Sequence, residues 1–172
     1  MKKHYLLFIF IFFFVSGKTF SQGWLPEPIN TSYINALQGT WISAPYNFMD
    51  NTNQEVVTYK MILNGQYMEI EVKRTDDKNF TYEGKEIVIP AADGTMKGSY
   101  YDIFGKNESS TYYGKMDGDK IILTSSSLIG KGTREIIIDG NTMTQNVTFT
   151  MIDKSGKQTP EQKITITYTK SN

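Results

Sequence analysis

The chain has 172 residues, with 18 Lys or Arg against 18 Asp or Glu, one histidine and no cysteine. That length suits one domain. The lack of cysteine excludes disulfides, Cys-His catalysis and a lipid-bearing cysteine, and basic residues scattered among acids exclude the basic face of a nucleic-acid binder.

The first 21 residues read as an export signal. Lys2, Lys3 and His4 make a basic start, residues 5–15 are an apolar run, and Thr19 and Ser21 put small residues at the −3 and −1 positions of a cut before Gln22. The run is too short to span a bilayer, and no later segment is apolar enough to do so. Cleavage removes Lys2, Lys3 and Lys18 but no acid, so 15 basic residues remain against 18 acidic ones and the mature charge is about −3. His4 leaves with the signal, which excludes Ser-His-Asp catalysis and His-ligated zinc or haem from the mature chain. The expectation is a periplasmic or secreted protein with no cofactor and no metal.

Residues 22–38 form an N-terminal segment in which Asn30 or Thr31 caps a short helix carrying Ile34 and Leu37 on one side. From Gly39 to about residue 170 the chain alternates apolar and polar residues in short runs divided by Gly, Asn and Asp. Ten runs are expected near 39–44, 55–63, 67–74, 80–89, 98–104, 108–116, 119–125, 132–138, 142–152 and 162–169. In residues 56–73, Asn64-Gly65 is a strong two-residue hairpin signal. Closing there pairs Met61 with Met68, Tyr59 with Ile70 and Val57 with Val72 on an apolar face, and Lys60 with Glu69 as an opposite-charge pair on the wet face. A slip of one residue would turn the apolar set to water. At residues 116–119 a two-residue loop placing Lys115 opposite Lys120 and a three-residue loop with a bulge are equally compatible with the pattern.

Such hairpins stack as a sandwich or close as a barrel. Short connections throughout favour an all-β, antiparallel up-and-down barrel of about eight to ten strands. A barrel of that size holds side chains or one small ligand.

The stretch "GTREIIIDGNTMTQNVTFTM", residues 132–151, puts polar groups on the expected interior. Met143, Gln145, Val147, Phe149 and Met151 share one face, and a two-residue turn adds Arg134, Ile136 and Ile138 to it. A buried guanidinium needs a partner. Two readings stay open: Arg134 and Gln145 orient a ligand's acidic or carbonyl group, or Arg134 closes the barrel floor over an aromatic ring. Asp102, between Tyr100 and Phe104 on one face, is the expected partner of Arg134 if that face is interior. Tyr100 and Tyr112 supply flat walls with hydroxyl tips suited to a ligand site. Glu69 and Glu71 fall on the outward face, which argues against paired catalytic carboxylates, and the Asp-rich segments read as turns rather than a calcium loop.

"GTW" at residues 39–41, after a short helix, resembles the G-x-W entry of lipocalin-like, or calycin, barrels. "YKMILNGQYMEIE" (59–71), "YYDIFGKNESSTYYGKMDGDKIILTS" (100–125), "TREIIIDGNTM" (133–143) and "KITITYTK" (163–170) extend the resemblance, to a bacterial family of lipocalin-like domains of unknown function, over roughly residues 37–170. The resemblance implies a barrel whose Trp41 packs under a basic side chain from a late strand as a structural closure, with Arg134 the candidate. Related haem-binding barrels use a histidine near the chain end that has no counterpart here. The expected function is binding of a small, mainly apolar ligand by Arg134, Gln145, Asp102, Tyr100 and Tyr112, without chemistry, by a monomer or weak dimer. The alternatives are an enzyme on the same barrel using Asp102 and a tyrosine hydroxyl on a hydrophobic substrate, or a filled barrel acting as an interaction module at the envelope.

Overall fold

The computed structural model describes residues 26–105, 110–117, 119–128, 130–153 and 155–171. The expected signal, with its cut before Gln22, lies outside the described residues. One helix, α1 (Ser32–Leu37), precedes eleven strands: β1 (Gly39–Ser43), β2 (Tyr46–Phe48), β3 (Asn51–Ile62), β4 (Tyr67–Asp76), β5 (Thr81–Pro90), β6 (Thr95–Asp102), β7 (Ser110–Asp117), β8 (Lys120–Ser127), β9 (Gly130–Asp139), β10 (Thr142–Met151) and β11 (Gln162–Lys170). Consecutive strands from β3 to β11 pair antiparallel, and β1 pairs with both β11 and β3. The result is a closed ten-strand meander barrel, with β2 added on β3. No helix among the described residues is long and apolar enough to cross a membrane.

β2 was not among the ten strands expected. It covers three residues, too few to show alternation, and it is parted from β1 by Ala44 and Pro45. Proline has no N–H to give the ladder. β3 is therefore covered in two pieces, Val56–Tyr59 by β1 and Asn51–Asn53 by β2.

The β3–β4 hairpin has the register that its apolar pattern dictates, with Val57 opposite Val72, Tyr59 opposite Ile70 and Met61 opposite Met68. Asn64 and Gly65 both have positive φ, 57° and 69°, as the tight mirror-image turn requires. Lys60 does sit opposite Glu69, but Glu69 bonds to Lys85 on its other neighbour, at 3.0 Å, and Lys85 also holds Glu71 at 2.9 Å. The β7–β8 turn closes one step beyond the expected two-residue loop. Asp117 faces Lys120 and Lys115 faces Ile122, so like charges never meet and no bulge is needed. The run expected to continue to residue 104 stops at Asp102, whose Oδ1 accepts from the Phe104 N–H at 2.9 Å and turns the chain.

One end of the barrel is sealed. Thr31 caps α1, which buries Tyr33, Ile34 and Leu37. The Tyr33 hydroxyl donates to the Ala91 carbonyl in the β5–β6 turn, and Lys170 Nζ donates to the Ala36 carbonyl. The preceding segment lies on the β3–β4 turn, where Ile29 N–H bonds to the Gly65 carbonyl and Gln66 Nε2 to that of Glu27. Trp41, fully buried, donates from Nε1 to the Leu37 carbonyl at 2.7 Å. The cation over its ring is Lys170 of the last strand, 5.1 Å from the centroid, and not Arg134.

Candidate functional site

The other end is open. Above the packed helix end the barrel holds a cavity of about 720 Å³. Arg134, Gln145, Tyr112, Tyr100 and Asp102 all line it, so alternation brings all five expected residues to one space. Below them lies a void of only about 20 Å³, and Tyr112, Leu123 and Arg134 border both spaces as the partition.

Arg134 is held by Glu86, with Nη1 donating to Oε1 at 3.2 Å. This corrects the expected Asp102 partner. Glu86 is 2% exposed, whereas the Arg134 side chain keeps about a third of its surface open. Burial is the largest influence and works against the guanidinium's charge, but Glu86 first, together with Tyr59, Tyr168 and Glu55, holds Arg134 above its ordinary pKa. Glu86 Oε2 and the Tyr112 hydroxyl are buried and interact with each other without closing a hydrogen bond of full geometry. Gln145, 3% exposed, donates to the Tyr59 hydroxyl at 3.3 Å.

Asp102 heads a separate chain of groups. Tyr82 donates to Asp102 Oδ2 at 2.9 Å, and its oxygen lies within hydrogen-bond distance of the Tyr100 hydroxyl. A phenol has one proton. Tyr100 therefore donates to Tyr82, and Tyr82 to Asp102. Two strands from Tyr82 along the same wall, with Arg74 between them, Glu55 accepts from Tyr168 at 2.6 Å and from Tyr46 at 3.1 Å. Burial is the first cause that raises the pKa of Tyr46, Tyr59, Tyr82, Tyr100, Tyr112 and Tyr168. All six hydroxyls stay neutral donors at physiological pH.

Small residues make room for the tyrosines. A Cβ at Gly84 would overlap the Tyr100 hydroxyl, and one at Gly98 would overlap the Tyr112 ring tip. Toward the mouth the wall is aromatic. Arg74 Cζ lies 4.7 Å from the Phe48 centroid and 4.6 Å from that of Tyr82, sandwiched between the two rings. Phe48 meets Phe149 edge to face at 5.8 Å. The turns around the opening expose Met49, Phe80, Ile103, Phe104, Leu128 and Ile152.

Glu86, Glu55 and Arg74 were missed by sequence reasoning, and each had a signal. Glu86 shares its parity with Tyr82 and Val88, and Arg74 shares its parity with Ile70 and Val72. Glu55 stands two residues before Val57 on the face assigned to the core. In β5 the signal is masked because Ile87 and Ile89 put apolar side chains on the outward face as well. Among the described residues, no three or more Asp, Glu, His or Cys side chains converge as a metal ion would need. A scan against protein-family models and a search of curated proteins both find no match to this chain.

Proposed function

We propose that this is an exported, lipocalin-like barrel that binds one small, mainly apolar molecule in its open half and leaves it chemically unchanged. The observation that carries the reading is the cavity itself. Its volume of about 720 Å³ falls in the range of small-molecule sites, about 300–1,000 Å³, and its lining combines aliphatic and aromatic surface with fixed charged and polar groups. A barrel serving only as a filled interaction module has no need of such a space.

An acid–base enzyme built on Asp102 and a tyrosine is the weaker reading. Tyr82 and Tyr100 are pushed up and away from the proton-transfer range by burial, and Asp102 already holds the Tyr82 proton donor. The export segment and the sequence likeness to lipocalin-like domains support the location and family parts of the proposal.

A neutral, polarity-sensitive naphthalene dye tests the binding reading. We expect one saturable site per chain, with blue-shifted emission, that is lost in Val147→Trp, where an indole fills the cavity. Dye binding that survives this substitution in a folded variant, or no saturable binding to the wild type, would contradict the proposal.

A further inference from the structure

We propose that the inner end of the ligand is a neutral group that both donates and accepts a hydrogen bond, a hydroxyl or a primary amide, and that a carboxylate is rejected. This rests on the binding reading above and concerns which molecules the cavity takes.

Charge gives the first argument. The cavity is lined by four carboxylates, Glu55, Asp76, Glu86 and Asp102, against three cations, Arg74, Lys131 and Arg134. The one cation at the floor, Arg134, is already neutralised by a carboxylate, and the other two stand toward the mouth. Arg134 is paired with Glu86, Arg74 is sandwiched between Phe48 and Tyr82, and Lys131 is an exposed residue at the mouth end of β9. An incoming carboxylate would add a like charge beside Glu86 and Glu55 inside the barrel.

Hydrogen bonding gives the second. Glu86 Oε2 and the Tyr112 hydroxyl, on a residue 5% exposed, are buried and interact with each other, the carboxylate raising the hydroxyl's pKa after burial, but neither closes a hydrogen bond of full geometry. Arg134 has used one nitrogen on Glu86 and turns its exposed third to the cavity. A hydroxyl or amide that draws these side chains toward it accepts from Arg134 or Tyr112 and donates to Glu86, so unmet polar groups on both sides are satisfied. An ammonium serves Glu86 but cannot accept from Tyr112, and it faces the Arg134 charge. A carboxylate accepts from Arg134 or Tyr112 but offers Glu86 no donor and brings a second negative charge beside it.

Four molecules with one body and different heads separate these cases: phenylbutanol, phenylbutanamide, phenylbutylamine and phenylbutanoate, titrated calorimetrically into the folded protein at neutral pH. The alcohol and amide should bind at least about tenfold more tightly than the carboxylate and more tightly than the amine. In Glu86→Gln, which removes one negative charge and keeps the shape, the carboxylate should gain at least about tenfold relative to the alcohol. The wild-type ranking decides the matter even if that variant fails to fold. A carboxylate that binds as tightly as the alcohol, or an amine that binds tightest, overturns this inference and leaves the binding reading standing. If none of the four binds, the binding reading itself fails.

Discussion

Replacing Arg134 by methionine leaves the Glu86 carboxylate buried with no counter-charge, which destabilises a fold by about 3 kcal/mol. The double substitution Arg134→Met with Glu86→Leu should recover most of that loss, and denaturant unfolding of the two singles and the double closes the cycle. Equal, additive losses would show that the two side chains are not a pair. Tyr112→Phe behaves differently. It deletes a buried hydroxyl that closes no hydrogen bond of full geometry, even to the neighbouring Glu86, and keeps the ring over Gly98, so stability should change by less than about 1 kcal/mol while affinity for an alcohol falls. At this scale the interior positions of Arg134 and Gln145 follow from alternation alone, and the identity of the partner does not. Alternation assigns a side chain to a face but says nothing of its height in the barrel. Strand tilt and stagger set the height. They bring Glu86, 48 residues away, to Arg134, while Asp102, nearer in sequence, is taken by Tyr82.

Among the elements, the β3–β4 hairpin is the one most fully written in local sequence. Its Asn-Gly turn and its apolar parity agree on one register. Gly65→Ala should lower stability by about 1–2 kcal/mol, because an L side chain is strained at its φ of 69°. The new Cβ would also press on Pro28, freeing the segment that lies on the turn, which hydrogen exchange at Ile29 would detect. Gly98→Ala acts through a different cause. Its methyl would overlap Tyr112, so the ring must move into the cavity or the strands must part, at about 1–3 kcal/mol. Local sequence is mute on β2, since three residues behind a proline show no period, and on the end of β6, where one aspartate side chain turns the chain.

For the whole molecule, the division into a sealed end and an open end explains both stability and the proposed function. The sealed half concentrates Trp41, Ile34, Leu37, Ile136 and Met96 in dry packing against α1, and the open half spends its interior on tyrosines and charged groups. Across the two halves seven tyrosines, Tyr33, Tyr46, Tyr59, Tyr82, Tyr100, Tyr112 and Tyr168, have raised pKa values, burial first among the causes. The unfolded chain releases their protons near pH 10, roughly the free tyrosine value, while the folded chain retains them. The folded state then binds more protons than the unfolded, so the stability they supply is complete below about pH 10 and is lost as pH rises beyond it. The urea midpoint should therefore fall steeply above that pH, with tyrosinate absorbance growing in step with unfolding. Tyrosinate forming in full while the barrel stays folded would contradict this. A meander of alternating strands predicts a barrel, but not whether it is hollow. That depends on where Gly84 and Gly98 admit tyrosine rings and where Arg134 and Tyr112 divide the interior, which only the closed structure fixes.

The central claim is that a ligand enters the open half and stops at the Arg134 partition. Methionine methyl NMR during titration with phenylbutanol reads this directly, because Met49 and Met151 line the large cavity and Met68 and Met96 line the small void below. The account predicts saturable shifts of Met49 and Met151 with Met68 and Met96 unmoved. Shifts centred on Met68 and Met96, or no saturable shift at any methionine, would contradict it.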